Sequence, residues 1–210
     1  MAERIAVFPL PTVLLPGEVI PLHIFEPRYK LLVQRVLDGR ERMGINLLWQ
    51  GRFYGVGCVS ALREVFRRYR DGRMDIAVEG VQRYQTLSLD ERTHPYWTAE
   101  VEWLLDEEDT APDELRQACV ELYARFLQLL RGTTPDVEEL ILADSRQAEP
   151  LSFFIGRQLG LEVLQRQHLL ELRSERQRLE WLRAHLERLL PRLEQLELFV
   201  RRVRSNGHFR

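Results

Sequence analysis

Apolar and polar residues alternate along much of the first hundred residues with the two-residue period of a β-strand. Asp71 and Gly72 form a strong hairpin-turn signal. After this turn, Met74, Ile76 and Val78 alternate with charged residues, which predicts one buried and one solvated face. Extended segments are predicted over residues 5–10, 19–24, 45–49, 54–69, 74–78, 81–89 and 96–105.

One helix is predicted within this β-rich part. Pro27 suits the first position of a helix, where the missing backbone N–H leaves no hydrogen bond unmade. Tyr29, Leu32 and Val33 then fall on one apolar face of that helix.

The apolar period changes to that of an α-helix after residue 112. Leu115, Cys119 and Phe126 share one face, and shorter helices are predicted over residues 137–142 and 151–159. A heptad pattern follows, and it predicts a long helix that packs against helices of its own chain, with a kink or restart at Pro191. The predicted buried seam of this helix comprises Leu172, Leu179, Leu182, Leu186, Leu189, Leu193 and Leu196.

These elements predict an α+β fold in two parts. A curled β-sheet with one inserted helix occupies residues 1–105, and an acidic linker occupies residues 106–112. A helical bundle ending in the long helix occupies residues 113–200. Residues 201–210 are predicted to form a basic flexible tail.

The composition indicates the class of protein and its location in the cell. The chain has 210 residues with 45% hydrophobic and 30% charged residues and a formal net charge of −2, values typical of a soluble globular protein. It contains neither an apolar stretch of the ~20 residues that a membrane helix needs nor a signal-peptide pattern. We therefore expect a cytoplasmic protein without a membrane partner. Cys58 and Cys119 are then expected to be reduced and buried.

Candidate catalytic chemistry is sparse. Lys30 is the only lysine and lies outside any Gly-Lys-Ser/Thr phosphate loop, and the five histidines lack the paired spacing of zinc ligands. We therefore expect neither catalytic residues nor metal ligands and no cofactor. A hydrolase without a recognisable motif and a nucleic-acid-binding protein are the alternative interpretations. Acidic residues between the arginines and the slightly negative net charge argue against nucleic acid as a partner.

Several segments resemble the N-terminal, substrate-binding domain of Lon protease. Residues 8–22, FPLPTVLLPGEVIPL, are similar to the opening of that domain, and residues 23–29, HIFEPRY, are similar to stand-alone bacterial members and to cereblon-type domains. Residues 56–62 resemble the family's Gly-Thr-Val-Ala-Arg-Ile strand, with Cys58 and Ala61 in place of the usual Thr and Arg. Residues 78–84 resemble its Glu-Gly-x-x-Arg segment, and residues 151–172 and the long helix resemble its helical bundle.

The resemblance implies a binding role without catalysis. The Lon ATPase and Ser-Lys peptidase modules are not found in these residues, nor is the zinc-binding domain of cereblon. The protein is therefore identified as a stand-alone bacterial member that binds unfolded or tagged polypeptides. The resemblance further implies an adaptor or chaperone-like factor in protein quality control that acts with a separate protease or chaperone. It is expected to be a monomer or a weak homo-oligomer through the C-terminal helix.

Aromatic and basic residues next to the predicted hairpin are the candidate partner contacts. Arginine and aromatic side chains that are exposed together dominate many interfaces, although Phe66 and Trp97 fit a β-sheet core equally well. An exposed sheet edge offers a second mode, in which a client adds a strand. The candidate contacts are Phe66, Arg67, Arg68, Tyr69, Tyr96 and Trp97.

Overall fold

The computed structural model describes residues 2–131 and 150–206, which form two compact units. The first unit combines the chain up to Asp106 with Gly156–Arg173, and the second combines residues from Glu107 to Ile155 with those from Ser174 onward. The short helix expected over residues 137–142 lies outside the described residues.

A six-stranded mixed sheet forms most of the first unit. Its strands follow the spatial order β2-β5-β4-β3-β1-β6, and β5 also pairs with β6, so that the sheet curls back on itself. β1 and β3 pair in parallel, and every other pairing is antiparallel. The strands are β1 (Glu3–Leu10), β2 (Val19–Ile24), β3 (Met43–Trp49), β4 (Arg52–Arg68), β5 (Met74–Asp90) and β6 (Trp97–Trp103).

Five helices are present among the described residues, and together with the curled sheet they confirm the predicted α+β fold. α1 begins at Pro27, as the sequence predicts, and buries Tyr29, Leu32 and Val33. The helices are α1 (Pro27–Leu37), α2 (Asp113–Arg131), α3 (Leu151–Gln158), α4 (Val163–Glu171) and α5 (Glu175–Asn206).

Residues 156–173 group with the first unit, whereas the sequence analysis places them in the helical part at 113–200. Side chains from this segment donate hydrogen bonds to backbone carbonyls of the N-terminal part. Arg157 Nη1 lies 2.8 Å from the carbonyl oxygen of Pro16, and Arg166 Nη2 lies 3.0 Å from that of Val13. Arg166 also forms an ion pair with Glu18. These contacts join residues far apart in sequence, so local sequence patterns do not predict them.

The helix α5 extends further than the sequence predicts. It continues through Pro191 and ends at Asn206, so residues 201–206 are helical where a flexible tail from residue 201 was expected. The rest of that tail lies outside the described residues. Leu196, Leu198 and Phe199 are exposed in the single chain, and self-association through this helix stays a prediction.

Tyr84 fills the interior of the curled sheet. Its side chain is buried, and its hydroxyl donates a hydrogen bond to Asn46 Oδ1. A Cβ atom at Gly57 on the neighbouring strand would lie 2.7 Å from this ring, so only glycine leaves room for it. The polar group of Tyr84 is therefore satisfied inside an otherwise apolar core.

Candidate functional site

The β4–β5 hairpin forms where the sequence predicts it. The Tyr69 backbone N–H donates to the Arg73 carbonyl oxygen over 2.9 Å, and Gly72 has the positive φ of 80° that this turn requires. Phe66 is 57% exposed, so it does not belong to the sheet core. Arg67 is exposed as well. The hairpin therefore presents an aromatic ring and cations to solvent.

Tyr96, which the sequence predicts as a partner contact, is buried in this structure. Its side chain is only 1% exposed. Its hydroxyl accepts a hydrogen bond from Arg35 Nη1 at 3.1 Å and donates one to Glu41 Oε2 at 3.2 Å. Burial, the largest cause, and the Glu41 carboxylate raise the pKa of Tyr96. This buried tyrosine holds the loop before β6 against α1.

An apolar groove of about 330 Å³ lies in the first unit, and Trp97 contributes to its wall. The ends of β1, β2 and β3 and the first turn of α1 supply the other walls. A concave, mainly apolar surface of this kind suits one or two apolar side chains of a ligand. The residues that line the groove include His23, Phe25, Glu26, Arg28, Tyr29 and Trp97.

His23 connects this groove to the hairpin. Its Nδ1 lies 2.5 Å from Asp75 Oδ1, and the Tyr69 hydroxyl donates to Asp75 Oδ2 over 2.7 Å. The hydrogen bonds from His23 and then from Tyr69 are the largest causes of a lowered pKa of Asp75. The same bond raises the pKa of Tyr69, because its phenolic proton is held by a carboxylate. Asp75 therefore stays ionised and fixes both rings.

Strand register places His23, Asp75 and Arg67 in one row. His23 on β2 pairs with Asp75 on β5, and Asp75 pairs with Arg67 on β4. Directly paired residues project from the same face of a sheet, so the three side chains share one surface. The Arg67 guanidinium carbon lies 4.7 Å from the centroid of the Tyr69 ring, which packs edge-on to His23 at 6.0 Å.

Phe25 extends this surface towards the mouth of the groove. Its ring stacks on His23 at 5.9 Å between centroids and is 58% exposed. Beyond it, Arg28 lies 4.5 Å over the Tyr29 ring and pairs with Glu26 at 2.8 Å. The candidate contacts predicted from the sequence include neither His23 nor Phe25. Their two-residue spacing at the end of a strand was the available signal.

The strand β2 has a free side next to this groove. It is the terminal strand in the described sheet and is hydrogen-bonded there only to β5. Pro21 lies within it, as is typical of an edge strand, where a missing N–H on the outer side breaks no ladder hydrogen bond. The structure thus brings an apolar groove, a sheet edge and an exposed aromatic row together.

Two features are absent from the described part of the chain. No helix there has both the length and the apolar character needed to cross a membrane. Likewise, the described residues contain no group of three or more His, Cys, Asp or Glu side chains positioned to hold a metal ion.

Similarity to solved structures is high in shape and modest in sequence. A Lon N-terminal domain protein from Xanthomonas campestris superimposes with a TM-score of 0.68 at 26% identity, covering 87% of this chain and 98% of that one. The N-terminal domain of Lon protease from the Mycobacterium avium complex superimposes with a TM-score of 0.65 at 21% identity, covering 88% and 98%, and at that identity it supports the fold alone.

Sequence relatives agree with this similarity. Lon protease 2 of Syntrophobacter fumaroxidans is 25% identical over 98% of this chain, and Lon protease of Dictyoglomus thermophilum is 26% identical over 91%. The chain spans about a quarter of the length of these curated relatives, 27% and 25% respectively. The model of the ATP-dependent protease La (Lon) substrate-binding domain matches residues 4–188. The chain therefore belongs to the Lon substrate-binding domain family.

Proposed function

We propose that this protein binds extended, apolar segments of unfolded or tagged polypeptides without cleaving them. The observation that carries the proposal is the apolar groove beside the free edge of β2. An extended segment that pairs with β2 places alternate side chains on one face, where the groove and Phe25 receive them. The backbone of any sequence offers the same hydrogen bonds, which suits a module that receives many clients.

The first test measures binding of a fluorescein-labelled peptide of alternating Leu and Ser by fluorescence anisotropy. Phe25→Ser removes an exposed ring at the groove and is expected to raise Kd about tenfold, as loss of an aromatic anchor does. Leu87→Ser is the matched control, because Leu87 has a similar exposure of 54% on β5 and does not line the groove. Equal binding by the two variants would contradict the proposal.

The second test separates strand addition from side-chain binding alone. A peptide N-methylated at alternate positions keeps its side chains but loses half of its N–H donors. Strand addition to β2 predicts a clear loss of affinity when the methylated N–H groups are those that face the edge. A matched peptide methylated on the other set of positions is expected to bind as the parent does. If both methylated peptides bind equally, the peptide binds through its side chains in the groove and does not pair with β2.

The adaptor or chaperone-like part of the proposal needs a functional assay. A protein that captures unfolded chains suppresses their aggregation in proportion to its concentration. We expect the wild-type protein and Leu87→Ser to suppress light scattering by a thermally unfolded client equally, and Phe25→Ser to suppress it less. If all three proteins leave the scattering unchanged, peptide binding does not extend to a chaperone-like role.

A further inference from the structure

The tip of the β4–β5 hairpin carries a cluster of cations beside the groove. Arg67, Arg68 and Arg70 are exposed on the hairpin. Lys30 of α1 joins them, because its Nζ donates to the Asp71 carbonyl oxygen over 2.9 Å. We call these four residues the basic rim.

The acidic residues of the hairpin form their ion pairs with residues outside this rim. Asp71 forms an ion pair with Arg73, with 2.7 Å between Arg73 Nε and Asp71 Oδ2. The hydrogen bond from the Arg73 backbone N–H is the largest cause of the lowered pKa of Asp71, and the bond from the Arg73 side chain lowers it further. Asp75 binds His23 at 2.5 Å. The ion pairs between described side chains give the residues of the basic rim no carboxylate partner.

The rim lies within reach of a peptide in the groove. Tyr69 separates Arg67 from His23, with 4.7 Å from the Arg67 guanidinium carbon to the ring centroid and 6.0 Å between the two ring centroids. An extended chain advances about 3.3 Å per residue. A residue about three positions from the one that contacts His23 therefore reaches Arg67, the rim residue whose register partner Asp75 also pairs with His23.

We propose that the preferred ligand is an apolar extended segment flanked by aspartate or glutamate residues, which the basic rim binds. The inference rests on the proposed function and adds the class of peptide to it. Guanidinium groups are weakly hydrated and match the geometry of a carboxylate, so they bind acidic side chains with little desolvation cost. Phosphate of a nucleic acid is the competing anion, but the groove beside the rim is apolar and suits the side chains of a peptide.

The test compares three labelled peptides with the same Leu-Ser core and with Glu, Gln or Lys at the flanking positions. At low salt the wild-type protein is expected to bind the Glu peptide about five- to tenfold tighter than the Gln peptide, and the Lys peptide more weakly. Sodium chloride is expected to erase the preference, because the three arginines of the rim are exposed.

Arg68→Gln/Arg70→Gln is the diagnostic variant, since neither side chain forms an ion pair with a described residue. It is expected to bind the Gln peptide as the wild type does and to lose most of the Glu preference. Arg40→Gln/Arg92→Gln is the control, because these exposed arginines line neither groove nor hairpin, and it is expected to keep the preference. Thermal unfolding followed by circular dichroism checks that both variants are folded.

The outcomes separate the two proposals. Binding of the Gln peptide that depends on Phe25 but shows no Glu preference overturns the acidic-ligand inference and leaves the proposed function standing. Failure of all three peptides to bind overturns both. A labelled single-stranded oligonucleotide that binds more tightly than the Glu peptide, and loses affinity in Arg68→Gln/Arg70→Gln, overturns the inference and assigns the basic rim to nucleic acid.

Discussion

Gly80 lies directly against the backbone carbonyl of Leu15, at a distance that leaves no room for a side chain. A Cβ atom at residue 80 would overlap the Leu15 oxygen and would lie 3.1 Å from the Cys58 sulfur. The Gly80 N–H donates to the Glu18 carbonyl over 2.9 Å, and the Gly17 N–H donates to the Gly80 carbonyl over 2.7 Å. Two sequence motifs of the family, Pro-Gly at residues 16–17 and Glu-Gly at residues 79–80, therefore meet in one contact.

Gly80→Ala is expected to destabilise the protein by about 3 kcal/mol, because the methyl group collides with backbone that cannot move aside. Equilibrium urea unfolding followed by tryptophan fluorescence measures the change. Gly39→Ala is the control, since Gly39 has a φ of 68° but nothing within 4 Å of its Cβ position. We expect it to cost about 1 kcal/mol from the left-handed backbone alone. Equal costs would show that the contact at Gly80 is unimportant.

Local periodicity predicts the elements of this fold but not their assembly. The alternation after Gly72 and the proline at residue 27 act through neighbouring residues, so β5 and α1 follow directly from the sequence. The grouping of residues 156–173 with the sheet depends instead on hydrogen bonds from Arg157 and Arg166 to carbonyls some 140 or more residues earlier. Every residue has a backbone carbonyl, so the sequence does not indicate which carbonyl accepts these hydrogen bonds.

The candidate site was predictable only in part, for a similar reason. The turn chemistry at Gly72 places the hairpin, and aromatic and basic residues beside it are exposed as the sequence suggests. Tyr96 is also aromatic, but it is buried, and its hydroxyl is hydrogen-bonded to Arg35 of α1 and Glu41 of the loop that follows α1. His23 enters the site because strand register sets it opposite Asp75, and register across three strands is a tertiary property.

Arg83 is buried, and its loss is expected to destabilise the first unit by about 3–5 kcal/mol. Its Nη1 donates to the carbonyl oxygens of Leu170 at 2.6 Å and Leu172 at 2.7 Å, and its Nη2 pairs with Asp106. Arg83→Met leaves these acceptors without that donor, so hydrogen exchange of amides at the end of α4 is expected to accelerate.

Arg63→Met is the control for this substitution. Arg63 also pairs with a carboxylate, Glu79, but its side chain is largely exposed. Removing an exposed ion pair costs at most about 1 kcal/mol, so exchange within α4 is expected to stay unchanged. A similar loss of stability in both variants would show that the burial of Arg83 is not what matters.

The two cysteines report on the two compact units separately. Burial raises the pKa of the Cys58 thiol from 9.0 to about 12 and that of the Cys119 thiol to about 11. Above pH 9 an unfolded chain loses the thiol protons, whereas the native thiols keep them. The contribution of the two buried thiols to the free energy of unfolding is therefore complete below pH 9 and declines towards pH 11–12.

Thiol labelling tests this expectation. At pH 8 an aromatic disulfide reagent is expected to leave both cysteines of the native protein unmodified and to label both in urea, because only the thiolate of an accessible cysteine reacts. Peptide mapping by mass spectrometry then gives the labelling rate of each cysteine. This rate reports the unfolding of each unit separately, since Cys58 lies in the first unit and Cys119 in the second. Native labelling of Cys58 at the rate of a free thiol would contradict its burial.

The buried face of α5 departs from the predicted seam. Leu179, Leu182 and Leu186 are fully buried as expected, but the next buried position is Leu190, while Leu196 is 59% exposed. Leu189 and Leu193 are half-buried and Leu172 lies before the helix begins. The buried positions 179, 182, 186 and 190 are 3, 4 and 4 residues apart, close to the 3.6-residue period of a straight helix, whereas a strict heptad would need left-handed supercoiling.

Leu186→Ala is expected to destabilise the second unit by about 2–5 kcal/mol, because it removes a side chain with 0% exposure from α5, which packs along α2. Leu196→Ala, on the exposed part of the same helix, is expected to change stability by less than about 0.5 kcal/mol. Urea unfolding measures both. Limited proteolysis of the native wild-type protein provides an independent check. A tight α2–α5 interface predicts resistance between Leu179 and Leu189, and rapid cleavage there would show that this face is not packed.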